Sequence, residues 1–353
     1  MSFAQSETEL LMLAIAFAIA TVVLLVLRMR RRTPVGTRVA TPVAIPVEVD
    51  PGVVALPKIA YEEDESVEPT CMAPAAAVSP PMQKIVYEDD AAIEEPTHPG
   101  ALILVTAMAG TDPGLRRKRN EDSILAREDF GLFVVADGMG GHSGGAVASD
   151  LAVRTIEHAY ERHEFRGPHD DVVPRRASEL GRSIQMANEA IFARAGADKL
   201  LAGMGTTICA ARFSPSKQRV YVGHVGDSRV YLFRNGRLRQ MTVDHTMKTL
   251  GVDGEGAGHL SRAVGVWPVV PVDIVLGKPK PGDLYLLCSD SLTKMVPEDV
   301  IAHILATAET PRAAVDALIA EANSRGGKDN IAVIVVRVDD PVGHVRGGPR
   351  VAA

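Results

Sequence analysis

Gly131-Leu132-Phe133-Val134-Val135-Ala136-Asp137-Gly138-Met139-Gly140-Gly141-His142 is the stretch from which the rest of this chain is read. Residues 132–136 form a short apolar run, the pattern of a buried strand. The run ends on Asp137, and the chain turns at once through Gly138, Gly140 and Gly141. Glycine permits positive φ and lets backbone approach a ligand closely. A carboxylate at the mouth of a strand, beside bare backbone, suits a hard cation. Asp-Gly is equally a common turn signal, so this stretch alone leaves a hairpin and a cation site level.

The balance shifts because other segments repeat the arrangement. Glu121 and Asp122 stand just before residues 123–126. Asp227 follows Val222-Gly-His-Val-Gly226, Asp290 follows Leu286-Leu-Cys-Ser289, and Asp329 precedes a strand starting at Ile331. Gly138, Gly226, Ser228, Ser289 and Ser291 flank them. One Asp at a strand end is usually a turn residue. If all these ends meet at one sheet edge, five or six carboxylates converge, and their repulsion at low dielectric calls for cations. An all-oxygen set favours Mg²⁺ or Mn²⁺ over zinc.

Strand patterns cover residues 101–107, 132–136, 206–213, 219–224, 229–234, 272–276, 283–288 and 331–338. Helical patterns cover about 145–164, 176–195, 297–307 and 311–324. In the first, Ala148, Leu151, Ala152, Ile156 and Ala159 keep the i, i+3, i+4 spacing of one buried face. Pro297 and Pro311 suit helix starts, and Asn235-Gly236 signals an antiparallel hairpin. Grouped strands with helices outside indicate an α+β layered fold over residues 101–340. Neither a G-x-G-x-x-G after a first strand nor a G-x-x-x-x-G-K-[ST] occurs.

The rest of the chain frames this domain. The net charge of −6 gives no global signal for nucleic acid, and no aromatics interleave the Arg116-Arg117-Lys118-Arg119 run, so no nucleic-acid partner is expected. Cys71, Cys209 and Cys288 have no C-x-x-C spacing, which argues against a disulfide framework or a zinc ribbon. Residues 10–27 are apolar or small except Thr21, preceded by Glu7 and Glu9 and followed by Arg28, Arg30, Arg31 and Arg32. At 1.5 Å per residue the run spans about 27 Å, close to a bilayer core. The basic flank follows the run, whereas a signal peptide carries it in front. Residues 1–32 therefore read as a single-pass membrane anchor with the remainder in the cytoplasm. Residues 33–100 read as a disordered Pro/Ala/acidic linker, and 341–353 as a disordered tail. The linker repeats itself: Lys58-Ile59-Ala60-Tyr61-Glu62-Glu63-Asp64 leads to Glu68-Pro69-Thr70, and Lys84-Ile85-Val86-Tyr87-Glu88-Asp89-Asp90 leads to Glu95-Pro96-Thr97. The copies read as spacer, or as short docking motifs with Thr70 and Thr97 as kinase targets.

In order along the chain come Asn120-Glu121-Asp122, Val135-Ala-Asp137-Gly138-Met-Gly-Gly-His142, Met204-Gly-Thr-Thr207, Gly223-His-Val-Gly-Asp227-Ser-Arg229, Ser289-Asp290 and Lys328-Asp329-Asn330. This series, over about residues 103–338, resembles the bacterial metal-dependent serine/threonine protein phosphatases, the PPM or type 2C family. The resemblance implies a four-layer sandwich of two antiparallel β-sheets flanked by helices, with a binuclear Mn²⁺/Mg²⁺ site at one sheet edge. It implies that Asp137 bridges two ions and that the Gly138 carbonyl is a ligand. Asp290 and Asp329 hold one ion, and Glu121 or Asp122 serves the other. Asp227 with Asp290 suits a third, weaker ion. Arg117 falls where the family places a phosphate-binding arginine; as a plain sequence feature it is equally one more surface cation. The implied reaction is hydrolysis of phosphoserine and phosphothreonine in proteins by a metal-activated water, opposing serine/threonine kinases. The alternative is a phosphoprotein-binding module without turnover. Three departures stand out. Met139 occupies a position where many eukaryotic relatives carry a His suited to acid work, which leaves the proton donor open between His142, a purely structural histidine otherwise, and a metal-bound water. Ser291 replaces the Gly after the metal Asp, where a side chain would crowd the backbone or tune the metal and, if the position needs φ > 0, would cost about 1 kcal/mol. The Gly-rich segment 246–260 is a short version of the family's flap.

A fusion of residues 1–35 to a soluble reporter is expected to fractionate with membranes and to resist salt extraction. Recovery in the soluble fraction would contradict the anchor.

Overall fold

The computed structural model describes residues 84–87, 103–140, 144–167 and 173–340. The anchor at residues 10–27, most of the linker, Thr70, Thr97, His142 and the tail lie outside the described residues. Among the described residues no helix is long and apolar enough to cross a membrane.

The elements run β1 (Lys84–Tyr87), β2 (Leu104–Asp112), β3 (Asp122–Arg127), β4 (Leu132–Met139), α1 (Gly144–Arg162), α2 (Arg175–Ala197), β5 (Gly205–Thr206), β6 (Ile208–Ser214), β7 (Arg219–Val225), β8 (Arg229–Arg234), β9 (Arg237–Gln240), β10 (Asp273–Gly277), β11 (Leu284–Cys288), α3 (Asp290–Met295), α4 (Glu298–Thr307), α5 (Pro311–Ser324) and β12 (Ile331–Asp339). One sheet has the order β1-β10-β7-β6-β4-β3, with β5 attached to β4; the other is β2-β12-β11-β8-β9. All pairings are antiparallel except β1 with β10.

The apolar run of β4 follows from its position between two cores. Side chains alternate across a strand. Leu132, Val134 and Ala136 pack with Ile156 of α1 and Leu180, Ile184 and Ile191 of α2. Phe133 and Val135 face the second sheet, with Val222, Leu287, Ile334 and Val336. A strand covered on both faces has no polar side, so it reads as a continuous run. The same holds for β12, whose Ile331, Val333 and Val335 meet Leu292, Ile301 and Leu318 of the second helical layer. The result is the expected four-layer sandwich. Asn235 (φ 52°) and Gly236 (φ 73°) close the β8–β9 hairpin with the double positive φ of a tight two-residue turn.

Four differences from the sequence expectations are informative. The first domain strand runs from Leu104 on to Asp112, past the expected end at residue 107, because its register follows β12 residue by residue, Asp112 opposite Ile331 to Leu104 opposite Asp339. β9 is too short and too basic to show in the pattern. Asp290–Met295 is helical, a segment that the pattern leaves unassigned between the strand at 283–288 and the helix at 297–307. Lys84–Tyr87, expected inside a disordered linker, pairs in parallel along β10; its backbone covers a sheet edge that would otherwise present open hydrogen-bonding groups.

Phe213 is fully buried between the sheets, edge-on to Phe133 (ring centroids 5.9 Å) and to Tyr285 (5.1 Å). Phe213→Ala is expected to lower unfolding stability by about 3–5 kcal/mol in denaturant titration. A loss below about 1 kcal/mol would show that the two sheets do not share this core.

Candidate metal centre

The site begins with a strand pairing. β3 and β4 are antiparallel, with Asp122 opposite Asp137, so both carboxylates leave the same face of the sheet. Glu121 precedes Asp122 and accepts the Gly138 N–H at 3.1 Å. Asp137 is held by its backbone: the Thr207 N–H and the Thr206 hydroxyl both donate to its carbonyl at 2.8 Å, and its own N–H donates to the Thr207 hydroxyl at 3.2 Å. Those threonines belong to the Met204-Gly-Thr-Thr207 run. Glycine at 138 is a steric need. A Cβ there would lie 2.2 Å from the Gly145 carbonyl oxygen and 2.5 Å from that of Glu121, where the start of α1 presses on the site.

Asp227 hangs from the turn after β7, where Gly226 takes φ 104°. His245 braces this turn. Its Nδ1 accepts the Gly226 N–H at 3.1 Å, and its Nε2 faces Asp273 at 3.3 Å, whose other oxygen takes Arg262 at 2.7 Å. His224, His245 and Asp273 bring potential ligand atoms together, but the two rings stack at 4.5 Å and 20°. Their lone pairs then run side by side and do not converge, and Arg262 already neutralises Asp273. This trio is a brace. Burial pushes the His224 pKa down to about 3, so that ring is neutral.

Asp290 opens α3 and pairs with Lys294 one turn later. Burial disfavours the Lys294 charge, yet Asp290, Asp227 and Asp137 more than offset it and raise its pKa. Asp329 lies between the Arg117 guanidinium, whose Nη2 donates at 2.8 Å, and the Asn330 N–H at 2.9 Å. Asn330 ties the entry loop to the site: its Oδ1 accepts the Glu121 N–H at 2.9 Å, and its Nδ2 donates to the carbonyls of Pro113 (3.0 Å) and Arg119 (2.9 Å).

The carboxylates expected from the sequence thus converge. Asp137 feels Asp122, Asp290, Asp227 and Asp329; burial first, and then these charges, hold its pKa well above the usual carboxylate range. Burial, opposed by hydrogen bonds from Ser289 and Asp137 and reinforced by Asp290 and Asp329, raises Asp122 to about 7. Burial and Asp290 raise Asp227 to about 7. Arg117 reaches the cluster through Asp329, and Asp329, Glu121 and Asp137 raise its pKa against the cost of burial. Asp122 Oδ2 is buried without a hydrogen-bond partner. A crowded all-oxygen set with an orphaned buried carboxylate oxygen fits a hard divalent cation. His142 lies outside the described residues.

Sequence reasoning missed Lys294 and gave Asn330 and Thr207 no role. Lys294 is legible in hindsight as the i+4 partner of Asp290 once that segment is taken as a helix. Ser291 resolves differently from expectation. It sits in the first turn of α3, outside the positive-φ residues, and its hydroxyl donates to the Asn330 carbonyl. The substitution brings an added tie and no backbone strain. The flap closes on itself through the Thr246–Leu260 bridge and leaves Leu250 exposed.

Residues 115–255 match the family model described as protein phosphatase 2C. The chain is 38% identical over 243 residues to the serine/threonine phosphatase stp of Listeria monocytogenes, an alignment spanning 65% of this chain and 94% of that protein. It is 36% identical over 243 residues to the serine/threonine protein phosphatase PstP of Mycobacterium tuberculosis, covering 66% of this chain and 45% of that one. Among solved structures, the catalytic domain of a PstP in complex with two manganese ions superposes with a TM-score of 0.58 at 35% identity, over 67% of this chain and all of that one.

Asp122 and Asp227 titrate near 7 in the folded state without metal, far above an unfolded aspartate. Between about pH 4 and 7 the folded chain therefore holds protons that the unfolded chain has released, and stability falls as pH rises through that window. Denaturant midpoints of chelator-treated protein are expected to be lower at pH 7.5 than at pH 5. Midpoints that rise with pH would show that the carboxylates are not crowded.

Proposed function

The chain belongs to the protein phosphatase 2C family, and from that membership we infer that it hydrolyses phosphoserine and phosphothreonine esters in proteins with two Mn²⁺ or Mg²⁺ ions. The observation that carries this reading is the meeting of Asp122, Asp137, Asp227, Asp290 and Asp329 at one sheet edge, with Arg117 alongside. Asp137 would serve both ions, Asp290 and Asp329 would hold one of them, Glu121 or Asp122 with the Gly138 carbonyl would hold the other, and Asp227 with Asp290 would suit a weaker third. A binding module without turnover has no need of the full carboxylate set.

Divalent ions held there acidify water and neutralise phosphoryl charge. The remaining work falls to the chain's own groups. Arg117 binds the phosphoryl oxygens. Its ion pair with Asp329 has side chains 56% and 47% exposed, and such a pair contributes only about 0–1 kcal/mol. The guanidinium is thus easily turned from Asp329 to a phosphate, which it grips with two parallel N–H donors. Lys294 sets the charge around Asp290. Asn330 and the Thr206–Thr207 pair fix the carboxylates, so little reorganisation accompanies the reaction. Cys209 and Cys288 are buried, and burial raises both thiol pKa values, which excludes either as a thiolate nucleophile. His142 is the candidate proton donor to the departing alkoxide.

The anchor at residues 10–27 extends the proposal: the domain works at the cytoplasmic face of a membrane, where it opposes serine/threonine kinases acting on the same phosphoproteins.

The full chain is expected to release phosphate from a phosphothreonine peptide only when Mn²⁺ or Mg²⁺ is added. Arg117→Ala should lower kcat/KM by roughly 10–100-fold, the value of one charge-assisted phosphate contact, and mainly through KM. Metal-independent turnover, or an unchanged kcat/KM for Arg117→Ala, would contradict the assignment.

A further inference from the structure

At the end of the sheet opposite the metal centre lies a cavity of about 470 Å³, between the end of α1, the start of α2 and the strands β6 and β7. Arg212 of β6, which lines it, pairs with Leu132 at the start of β4. Asp137 stands five residues further along β4, a separation of about 17 Å, so the cavity is no part of the carboxylate cluster. One wall is aromatic. Tyr160 lies edge-on to Phe165 (ring centroids 5.1 Å) and tilted to Phe130 (6.2 Å). The other wall is basic: among the described residues Arg175, Arg176 and Arg212 line it, and Glu179 brings the one carboxylate. Glu179 is paired with the exposed Arg175 at 2.8 Å.

Two buried polar groups face this cavity unsatisfied. The Tyr160 hydroxyl, on a residue only 2% exposed, and Arg212 Nε have no partner in hydrogen-bond geometry. Arg212 uses Nη1 on the Phe213 carbonyl at 2.6 Å, and its guanidinium carbon lies 5.5 Å from the centre of the Tyr160 ring. Burial pushes the Arg212 pKa down and Arg176 adds to this, against the opposing effect of Tyr160 and Glu179. A desolvated guanidinium with a spare donor and a second cation beside it is short of negative charge. Pro174, at the mouth of the cavity, is the N-cap of α2 and supplies no side-chain cap. The first N–H groups of that helix are therefore left to an outside acceptor, at the positive end of its dipole.

We propose that this cavity is a second ligand site, for a nucleoside monophosphate. Its volume is that of a small-molecule pocket, and the mix of aromatic wall and few polar groups is the usual lining of one. The phosphate sits against Arg212, Arg176 and the start of α2, where guanidinium and helix N-terminus both favour a dianion. The base packs on the Tyr160–Phe165 wall, since every base offers a π-face to an aromatic side chain. Glu179 accepts an N–H of the heterocycle, and the Tyr160 hydroxyl gains the partner it lacks.

Calorimetric titration of the full chain in detergent micelles with adenosine monophosphate tests this, with chelator present so that no ions occupy the carboxylate cluster. The wild type is expected to bind the nucleotide saturably, and adenosine or inorganic phosphate alone at least about tenfold more weakly. Arg212→Gln should weaken binding about tenfold or more. Tyr160→Phe, which keeps the ring and removes only the hydroxyl, should weaken it about threefold or more. Arg117→Ala should leave it unchanged. Mn²⁺-dependent turnover of a phosphothreonine peptide reports that each cavity variant is folded, and Tyr160→Phe alone decides should Arg212→Gln not fold. Absence of saturable binding, inorganic phosphate binding as tightly as the nucleotide, unchanged affinity in a folded cavity variant, or affinity lost with Arg117→Ala would each overturn the proposal.

Discussion

Buried carboxylates repel one another, and this constraint organises the molecule. Asp137 sits under the charges of four other aspartates, inside a domain whose interior gives those charges little screening. Nothing about the fold requires such a cluster. Leucine or asparagine in these positions would make a more comfortable edge. The cluster makes physical sense only as a receptor for positive charge, and Arg117 and Lys294 alone do not balance it. The orphaned oxygen of Asp122 points the same way.

The remainder of the domain keeps that repulsion from opening the edge. The two sheets share an apolar layer in which Phe133, Phe213 and Tyr285 interlock, and each sheet is backed by helices. Strand register then places the acids: Asp122 faces Asp137 because β3 and β4 are antiparallel neighbours, and Asp290 follows directly from β11. Polar ties finish the work. Asn330 spans three backbone groups of the entry loop, and the Thr206–Thr207 pair clamps Asp137. Each tie acts on backbone, so the carboxylate oxygens stay available for ligands.

Much of this was legible in the sequence, for a definable reason. A strand covered on both faces is a bare apolar run, so β4, β7, β11 and β12 stand out, and an acid at the end of such a run has nowhere ordinary to go. The converging aspartates could be read from that pattern, whereas their mutual geometry could not, because register and sheet order are not local properties. Asn330 and Lys294 escaped for the same reason: their partners lie across the sheet or one helical turn away in a helix too short to announce itself. β1 escaped because four residues in a Pro/Ala/acidic tract carry no periodicity; only the tertiary edge of β10 gives them a structure. Ser291 shows the opposite error, where a departure from a family pattern suggested strain and the local helix instead uses the hydroxyl.

The most direct test of this account is Mn²⁺ binding by equilibrium dialysis, comparing the wild-type full chain with Asp137→Asn. If the converging carboxylates form a two-ion receptor bridged by Asp137, the wild type holds two ions per chain and the variant loses at least one of them while remaining folded. Equal binding by the two proteins, or none by the wild type, would contradict it.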